Sequence, residues 1–256
     1  MKCVILQPSY IPWRGFFHLI QKADVFVFYD DVQYDHRGWR NRNRIAGPQG
    51  SQWLTIPVRH KGAIINQTPI NEIRIDSESD WNKKHCSSLR HVYRRTPHFD
   101  RYWPLVESFY LDTPKLLADF TIETTIALAR ELGLEQTRFL RASDLPSNGQ
   151  KTDRLLCILR HLGADHYISG PSAKDYLEEE KFQASGITLE YMEYDYPEYP
   201  QVQQTFDPHL SILDLLFMVG PEAHRYIWSQ SSEPALAGLS PQVWSLSSRV
   251  GQEIEN

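Results

Sequence analysis

An α/β fold, a Rossmann-like parallel sheet with an inserted small β-hairpin element and a helical layer, is predicted by three features of this chain. Short apolar runs alternate with amphipathic stretches at both ends of the sequence, which is the pattern of β-α-β units. The loops after those runs carry Gly, Pro and acids, as the carboxyl ends of parallel strands do. Between the two alternating parts lie a turn flanked by strand-like runs and a proline-punctuated helical stretch.

Taken in order, Cys3-Val4-Ile5-Leu6 reads as a strand, Phe16 to Ala23 as a helix, and Val25 to Tyr29 as a second strand ending in Asp30-Asp31. Arg40 to Ile45 and Trp53 to Val58 flank Gly47-Pro48-Gln49-Gly50 and predict a hairpin, with Glu72 to Ile75 as a short strand joining it. Residues 79–134 read as helical, with breaks at Pro97, Pro104 and Pro114 and a stop at Gly133. Alternation then resumes: Phe139-Leu140 as a weak strand, Thr152 to Leu162 as a helix, and His166 to Ser169 as a strand. Ser172 to Ala184 follows as a helix, Ile187 to Tyr191 as a strand, His209 to Gly220 as an apolar helix, and Pro221 opens another. A single α/β domain over residues 1–230 is expected, with a Ser-, Pro- and Gly-rich tail over 231–256 that is flexible or loosely docked.

With 256 residues, a formal net charge of −5 and a pI near 6.1, the chain has no general attraction for nucleic acid, so nucleic acid is not an expected partner. Cys3, Cys86 and Cys157 are far apart and form no disulfide framework or zinc signature, which fits a reducing cytoplasm. No signal peptide and no membrane span is expected.

Five constellations can carry chemistry. The loop Gln7-Pro8-Ser9-Tyr10-Ile11-Pro12-Trp13-Arg14-Gly15 ends the first strand, where backbone N–H groups and a glycine admit an anionic ligand and Tyr10 and Trp13 offer stacking faces. The same residues also make a rigid turn. Asp30-Asp31-Val32-Gln33 can bind Mg, hold ribose hydroxyls or act as a base, or simply cap a turn. In Arg37-Gly38-Trp39-Arg40-Asn41-Arg42-Asn43-Arg44, alternation puts Arg40, Arg42 and Arg44 on one strand face, suited to phosphate or to a charge-protected edge. Gly170-Pro171-Ser172 starts a helix whose N–H groups can face the crevice or whose Ser172 and Asp175 can simply form a capping box, with Tyr176 beyond it and Lys151 at a similar level. Finally, Tyr199-Pro200-Gln201 precedes Ser211 and Asp214, whose spacing also matches a capping box. His18 and His36 lie near the opening loop as acid-base candidates, and no Cys/His cluster has zinc spacing.

Together, Gln7 to Phe17, Asp30 to Gln33, Trp39 to Ile45, Trp53 to Val58, Tyr167 to Gly170, Tyr199 to Gln201 and Leu210 to Asp214 resemble the WbqC-like proteins over roughly residues 1 to 220. Such proteins are bacterial and many are associated with surface-polysaccharide pathways, so the resemblance implies a setting in glycan or nucleotide-sugar metabolism. The opening strand-loop-helix is also similar to the HxGH nucleotidylyltransferases, but Trp13 and Phe16 stand where that motif has its two histidines.

The resulting expectation is a cytoplasmic transferase that passes an acyl or aminoacyl group onto a nucleotide-linked or phosphorylated amino sugar in O-antigen or lipopolysaccharide biosynthesis. Asp30, Asp31 and His18 are the candidates for chemistry. Gln7, Pro8, Tyr10, Trp13, Gly15, Gln33, Arg42, Asn43, Arg44, Lys151, Gly170, Ser172, Tyr176, Tyr199, Gln201, Ser211 and Asp214 are the candidates for substrate binding. The alternatives are a non-catalytic nucleotide-sugar-binding or scaffold protein presenting Trp13, Trp39 and Tyr199, and a nucleotidylyltransferase-like enzyme without the HxGH histidines. The oligomeric state is open.

Overall fold

The computed structural model describes residues 1–59, 63, 65–146 and 148–228. The tail expected to be flexible therefore lies outside the described residues.

Five parallel strands form the sheet: β1 (Lys2–Leu6), β2 (Val25–Phe28), β5 (Arg138–Arg141), β6 (His166–Ser169) and β7 (Thr188–Tyr191), in the spatial order β5-β2-β1-β6-β7. The register runs Cys3 opposite Val25 and Tyr167 opposite both Cys3 and Leu189. Near-continuous apolar runs in β1 and β2 follow from burial of both sheet faces. Val4, Phe26, Phe28 and Ile168 face a core shared with α1 (Arg14–Lys22), α2 (Trp81–Tyr93), α3 (Phe99–Ser108), α4 (Leu117–Glu131) and α7 (Ile212–Val219). Cys3, Ile5, Val25, Val27 and Tyr167 face the other core, with Leu155, Leu156, Ile158 and Leu159 of α5 (Lys151–Leu162) and Phe182 of α6 (Glu179–Ala184). The fold is α/β with helices on both sheet faces.

The inserted hairpin is β3 (Arg42–Ile45) paired antiparallel with β4 (Gln52–Thr55). Gly50 has φ +112, a conformation open to glycine, and a Cβ on Gly47 would stand 2.6 Å from the Gly50 carbonyl oxygen. Asn43 and Ile45 are buried while Arg42 and Arg44 lie on the more open face, as strand alternation requires.

Three sequence expectations are corrected. Glu72 to Ile75 does not join the hairpin as a strand: Ile70–Glu72 is a 3-10 turn, and Ile75 makes only a single bridge to Val58. Pro104 does not break a helix, because α3 runs through it and loses one backbone bond only. The helix expected from Ser172 to Ala184 is divided into a 3-10 turn over Pro171–Asp175 and the short α6. Pro171 fixes that turn's start, and its Gly170 N-cap makes no side-chain capping bond, so Ser172 and Asp175 form no capping box. No helix among the described residues is long and apolar enough to cross a membrane.

Candidate functional site

The strand order reverses between β1 and β6, and in open α/β sheets the crevice beyond the strand carboxyl ends at such a reversal is where ligands sit. Gln7 and Pro8 follow β1 there and Gly170 follows β6, while Asp30 and Asp31 follow the neighbouring β2. The two acids have different surroundings. Asp30 is buried, and its carboxylate accepts the Ser143 N–H at 3.0 Å and the Ser143 hydroxyl at 2.9 Å. Burial raises its pKa and the Ser143 bonds pull it partly back. Both oxygens are thereby engaged in tying the end of β2 to the turn after β5.

Asp31 is only partly buried and forms an ion pair with Arg154 on α5. Its Oδ1 and the Arg154 Nε are both buried atoms without a hydrogen-bond partner among the described residues. The Arg154 guanidinium lies 5.5 Å from the centre of the Tyr29 ring, whose phenol is pushed up to about 12, chiefly by burial and further by Asp31 and Tyr176. Tyr176 remains exposed at the mouth of this crevice, and beside it the Lys174 ammonium sits 5.2 Å over the Tyr191 ring. An unpartnered carboxylate oxygen, a cation and two phenols suit a ligand that brings hydroxyl or amino hydrogens together with negative charge. The two acids do not come together as a shared carboxylate pair for magnesium. Asp30 and Asp31 have separate partners in Ser143 and Arg154, and no group of three or more His, Cys, Asp or Glu side chains meets among the described residues.

The opening loop is held from all sides. The Tyr10 ring is buried, with its hydroxyl 2.8 Å from His85 Nδ1 and 2.6 Å from the Tyr110 hydroxyl, so protein encloses the face expected to stack on a ligand. Burial lowers the His85 pKa to about 4, keeping the ring neutral beside the phenols. Ile11 has φ +36, rare for a β-branched residue, and the Asn43 amide pins it by donating to the Tyr10 and Ile11 carbonyls at 3.0 and 2.8 Å. Trp13 packs against the rings of Tyr194, Tyr196 and His209. The space expected above Gly15 for a ligand is filled by the Trp13 indole, which a Cβ at position 15 would overlap. Gly15→Ala is therefore expected to lower stability by about 2 kcal/mol, the size of an overpacked core site. Urea unfolding checks this, and an unchanged midpoint would mean that the indole yields freely.

Trp13 and Phe16 thus fill the two histidine positions of the HxGH pattern with packing side chains. His18 is bonded through Nδ1 to the Tyr196 hydroxyl at 2.9 Å, and burial lowers its pKa to about 4. Its ring contacts, Tyr196 and Trp228, include neither Asp30 nor Asp31. Gln33 is exposed and bridges to Pro69, and Lys151 is exposed at the first position of α5 with φ +50.

The hairpin and the α7 segment complete the enclosure. Ser211 N–H donates to the Arg44 carbonyl at 2.9 Å and Ile212 N–H to the Pro12 carbonyl at 2.8 Å. Arg44 pairs with Asp207 at 3.1 Å, and Gln201 braces Asp207 through bonds to its N–H and carbonyl. Ser211 caps α7 by accepting the Leu213 N–H at 3.3 Å. Asp214 is fully buried and does not complete a capping box, because the Ser211 N–H is already spent on Arg44. Neither of its oxygens completes a hydrogen bond of normal geometry. Burial lifts its pKa to about 6, and the facing Tyr93 and Tyr199 hydroxyls offset part of that rise as dipoles.

Tyr199 itself is buried beneath the Arg14 guanidinium, 5.3 Å from the ring centre, and Arg14 donates to the Pro197 and Tyr226 carbonyls. A depression of about 470 Å³ between α6 and β7, lined by Phe182, Gly186, Leu189 and Tyr191 among others, contains none of the sequence-predicted residues. Sequence reading missed Ser143, Arg154, Tyr29, His85 and Arg14. Arg154 carried a signal, a cation one turn into a helix that opens at the level of two strand-end acids, and Arg14 and Tyr29 lie within or beside words that the sequence already singled out.

The model of the WbqC-like protein family matches residues 7–226 of this chain. The chain is 40% identical over 228 residues to the uncharacterized protein Rv1507c of Mycobacterium tuberculosis (strain ATCC 25618 / H37Rv), covering 88% of this chain and 97% of that protein. No solved structure matches.

Proposed function

The chain belongs to the WbqC-like protein family, and from that premise we propose that it is a transferase of bacterial surface-glycan biosynthesis. Its substrate in this reading is a nucleotide-linked or phosphorylated amino sugar, which receives an acyl or aminoacyl group in the crevice beyond β1, β2 and β6. The observation that carries the reading is Asp31, a strand-end carboxylate with one buried oxygen lacking a donor, beside the point where the strand order reverses.

In this reading the Asp31 Oδ1 takes the proton from the sugar hydroxyl or amine as it attacks the acyl carbon, and Arg154 keeps the carboxylate oriented. The new C–O or C–N bond forms as the bond from that carbon to the acyl donor's carrier group breaks, and the carrier leaves with the proton. Tyr29 and Tyr176 supply the apolar faces, and Lys174 supplies charge toward phosphate. Asp30, satisfied by Ser143, acts as a brace for that end of the sheet rather than as the base.

Thermal-shift titration with a panel of nucleotide-linked amino sugars tests this directly, since a ligand of the native state raises its melting temperature. At least one is expected to shift the wild type, and Asp31→Asn is expected to weaken that ligand about tenfold or more, the loss typical of one charge-assisted hydrogen bond. An absence of shift across the panel, or an undiminished shift in Asp31→Asn, would count against the crevice as the sugar site. Weakened binding together with turnover lost even at saturating ligand in that variant would favour transfer over a scaffold role.

A further inference from the structure

The open face of the hairpin carries a second group of residues that the crevice does not use. Register places Arg44 opposite Trp53 and Arg42 opposite Thr55, and Trp39 leans onto the same face from the segment before β3. The two indoles lie 5.3 Å apart at 34° and remain 40% and 48% exposed. Neighbouring tryptophans left to water on one face of a short hairpin and the segment leading into it form the kind of aromatic surface that marks recognition.

The guanidinium of Arg42 sits 4.7 Å from the Trp53 ring centre, and that of Arg44 sits 5.7 and 5.8 Å from the Trp39 and Trp53 centres. Arg44 is neutralised by Asp207, but Arg42 donates only to the Gly38 and Arg37 carbonyls and meets no carboxylate among the described residues. An uncompensated cation is thus held in place over an aromatic shelf, in a chain whose net charge is −5.

We propose that this face binds a nucleoside phosphate, with the base stacked on the Trp39 and Trp53 shelf and the phosphate held by Arg42. A simple anion would have no use for the indoles, and a neutral sugar none for Arg42. A long polyanion needs positive charge to continue along its path, whereas the neighbouring Asp35 and Asp207 carboxylates interrupt it. The site shares no residue with Asp31 or Arg154 and does not depend on what the crevice binds. In a group transfer, which brings two molecules together, it would serve as the handle for the second one.

Calorimetric titration at low salt with AMP and UMP, and with adenosine and ribose 5-phosphate as half-ligands, tests the proposal on the full chain. Both nucleotides are expected to bind the wild type. Trp53→Ala and Arg42→Gln are each expected to weaken them about tenfold, in line with the loss of one stacked base or one phosphate contact. Asp31→Asn should leave this binding unchanged. Should Arg42→Gln disturb the 37–42 loop, Trp53→Ala alone still decides the point.

No nucleotide binding by the wild type would overturn the inference, as would ribose 5-phosphate binding as tightly as AMP. Binding lost in Asp31→Asn but kept in Trp53→Ala would place the nucleotide in the crevice, overturning this inference while leaving the crevice reading intact. Binding of a single-stranded oligonucleotide without any binding of mononucleotides would replace the proposal with nucleic-acid recognition.

Discussion

Asn43→Ala is expected to destabilise the protein by about 2–3 kcal/mol, because three backbone groups, two of them buried, lose their partner at once and each unsatisfied buried group carries a penalty of about 1 kcal/mol or more. The Asn43 amide donates to the Tyr10 and Ile11 carbonyls, and its side-chain oxygen accepts the Arg44 N–H at 2.7 Å. It is nearly inaccessible to water, so no solvent molecule replaces these bonds without movement of the loop. The positive φ of Ile11 adds to the effect, since that strained conformation persists only while its surroundings over-determine it. For a chain of this size the melting temperature should fall by about 4–12 °C. Urea unfolding supplies the free energy, and a loss below about 1 kcal/mol would mean that the loop carbonyls find other donors.

Asp214→Asn is expected to act in the opposite direction, and only above mildly acidic pH. Its carboxyl has a native pKa of about 6, above the value near 3.9 of an unfolded chain. The native state therefore binds the proton more tightly than the unfolded state does. The group places no penalty on folding below about pH 4, and as pH rises toward 6 it destabilises the fold progressively, by about 3 kcal/mol in full. Asparagine cannot ionise, so the variant should gain on the wild type across that window and hold a constant advantage at pH 7 and above. The gain is smaller by whatever the amide loses against the Tyr93 and Tyr199 hydroxyls. Unfolding free energies at pH 4.5 and 7.5 decide this: a difference between the two proteins that does not grow with pH would show that Asp214 is not a buried ionised carboxylate.

Much of the sheet was legible in the chain. Strands at His166–Ser169 and near Val25–Phe28 and Lys2–Leu6 could be located because both faces are buried and the apolar runs are nearly continuous. The Arg42 and Arg44 alternation was legible for the simpler reason that strand side chains repeat every two residues, whereas Arg40, expected on the same strand face, precedes β3 and donates to the Pro8 carbonyl. The errors fell where local preference meets tertiary context. Pro104 sits inside α3 because packing of Phe99, Tyr102, Trp103 and Val106 outweighs one missing backbone bond. Ser172 and Asp175 have capping-box spacing but open only a 3-10 turn.

The site divides in the same way. Asp30 and Asp31 are adjacent, equally acidic in sequence, and both at a strand end; only the approach of Ser143 and Arg154, more than a hundred residues away along the chain, makes one a buried brace and the other a half-open ion pair. Trp13 and Trp39 both read as candidate stacking faces. Trp13 is packed among Tyr194, Tyr196 and His209 while Trp39 remains exposed beside Trp53, a distinction set by which loops fold over them.

By itself, then, the sequence determined the α/β class, the strands and their faces, and the short words that identify the family, because these depend on side-chain periodicity and on residue types within a few positions of each other. Which acid keeps an unpartnered oxygen, which aromatic ring meets water and which asparagine clamps the strained loop were decided by the tertiary structure alone. Those properties arise from desolvation and pairing between segments that the chain holds far apart and only folding brings together.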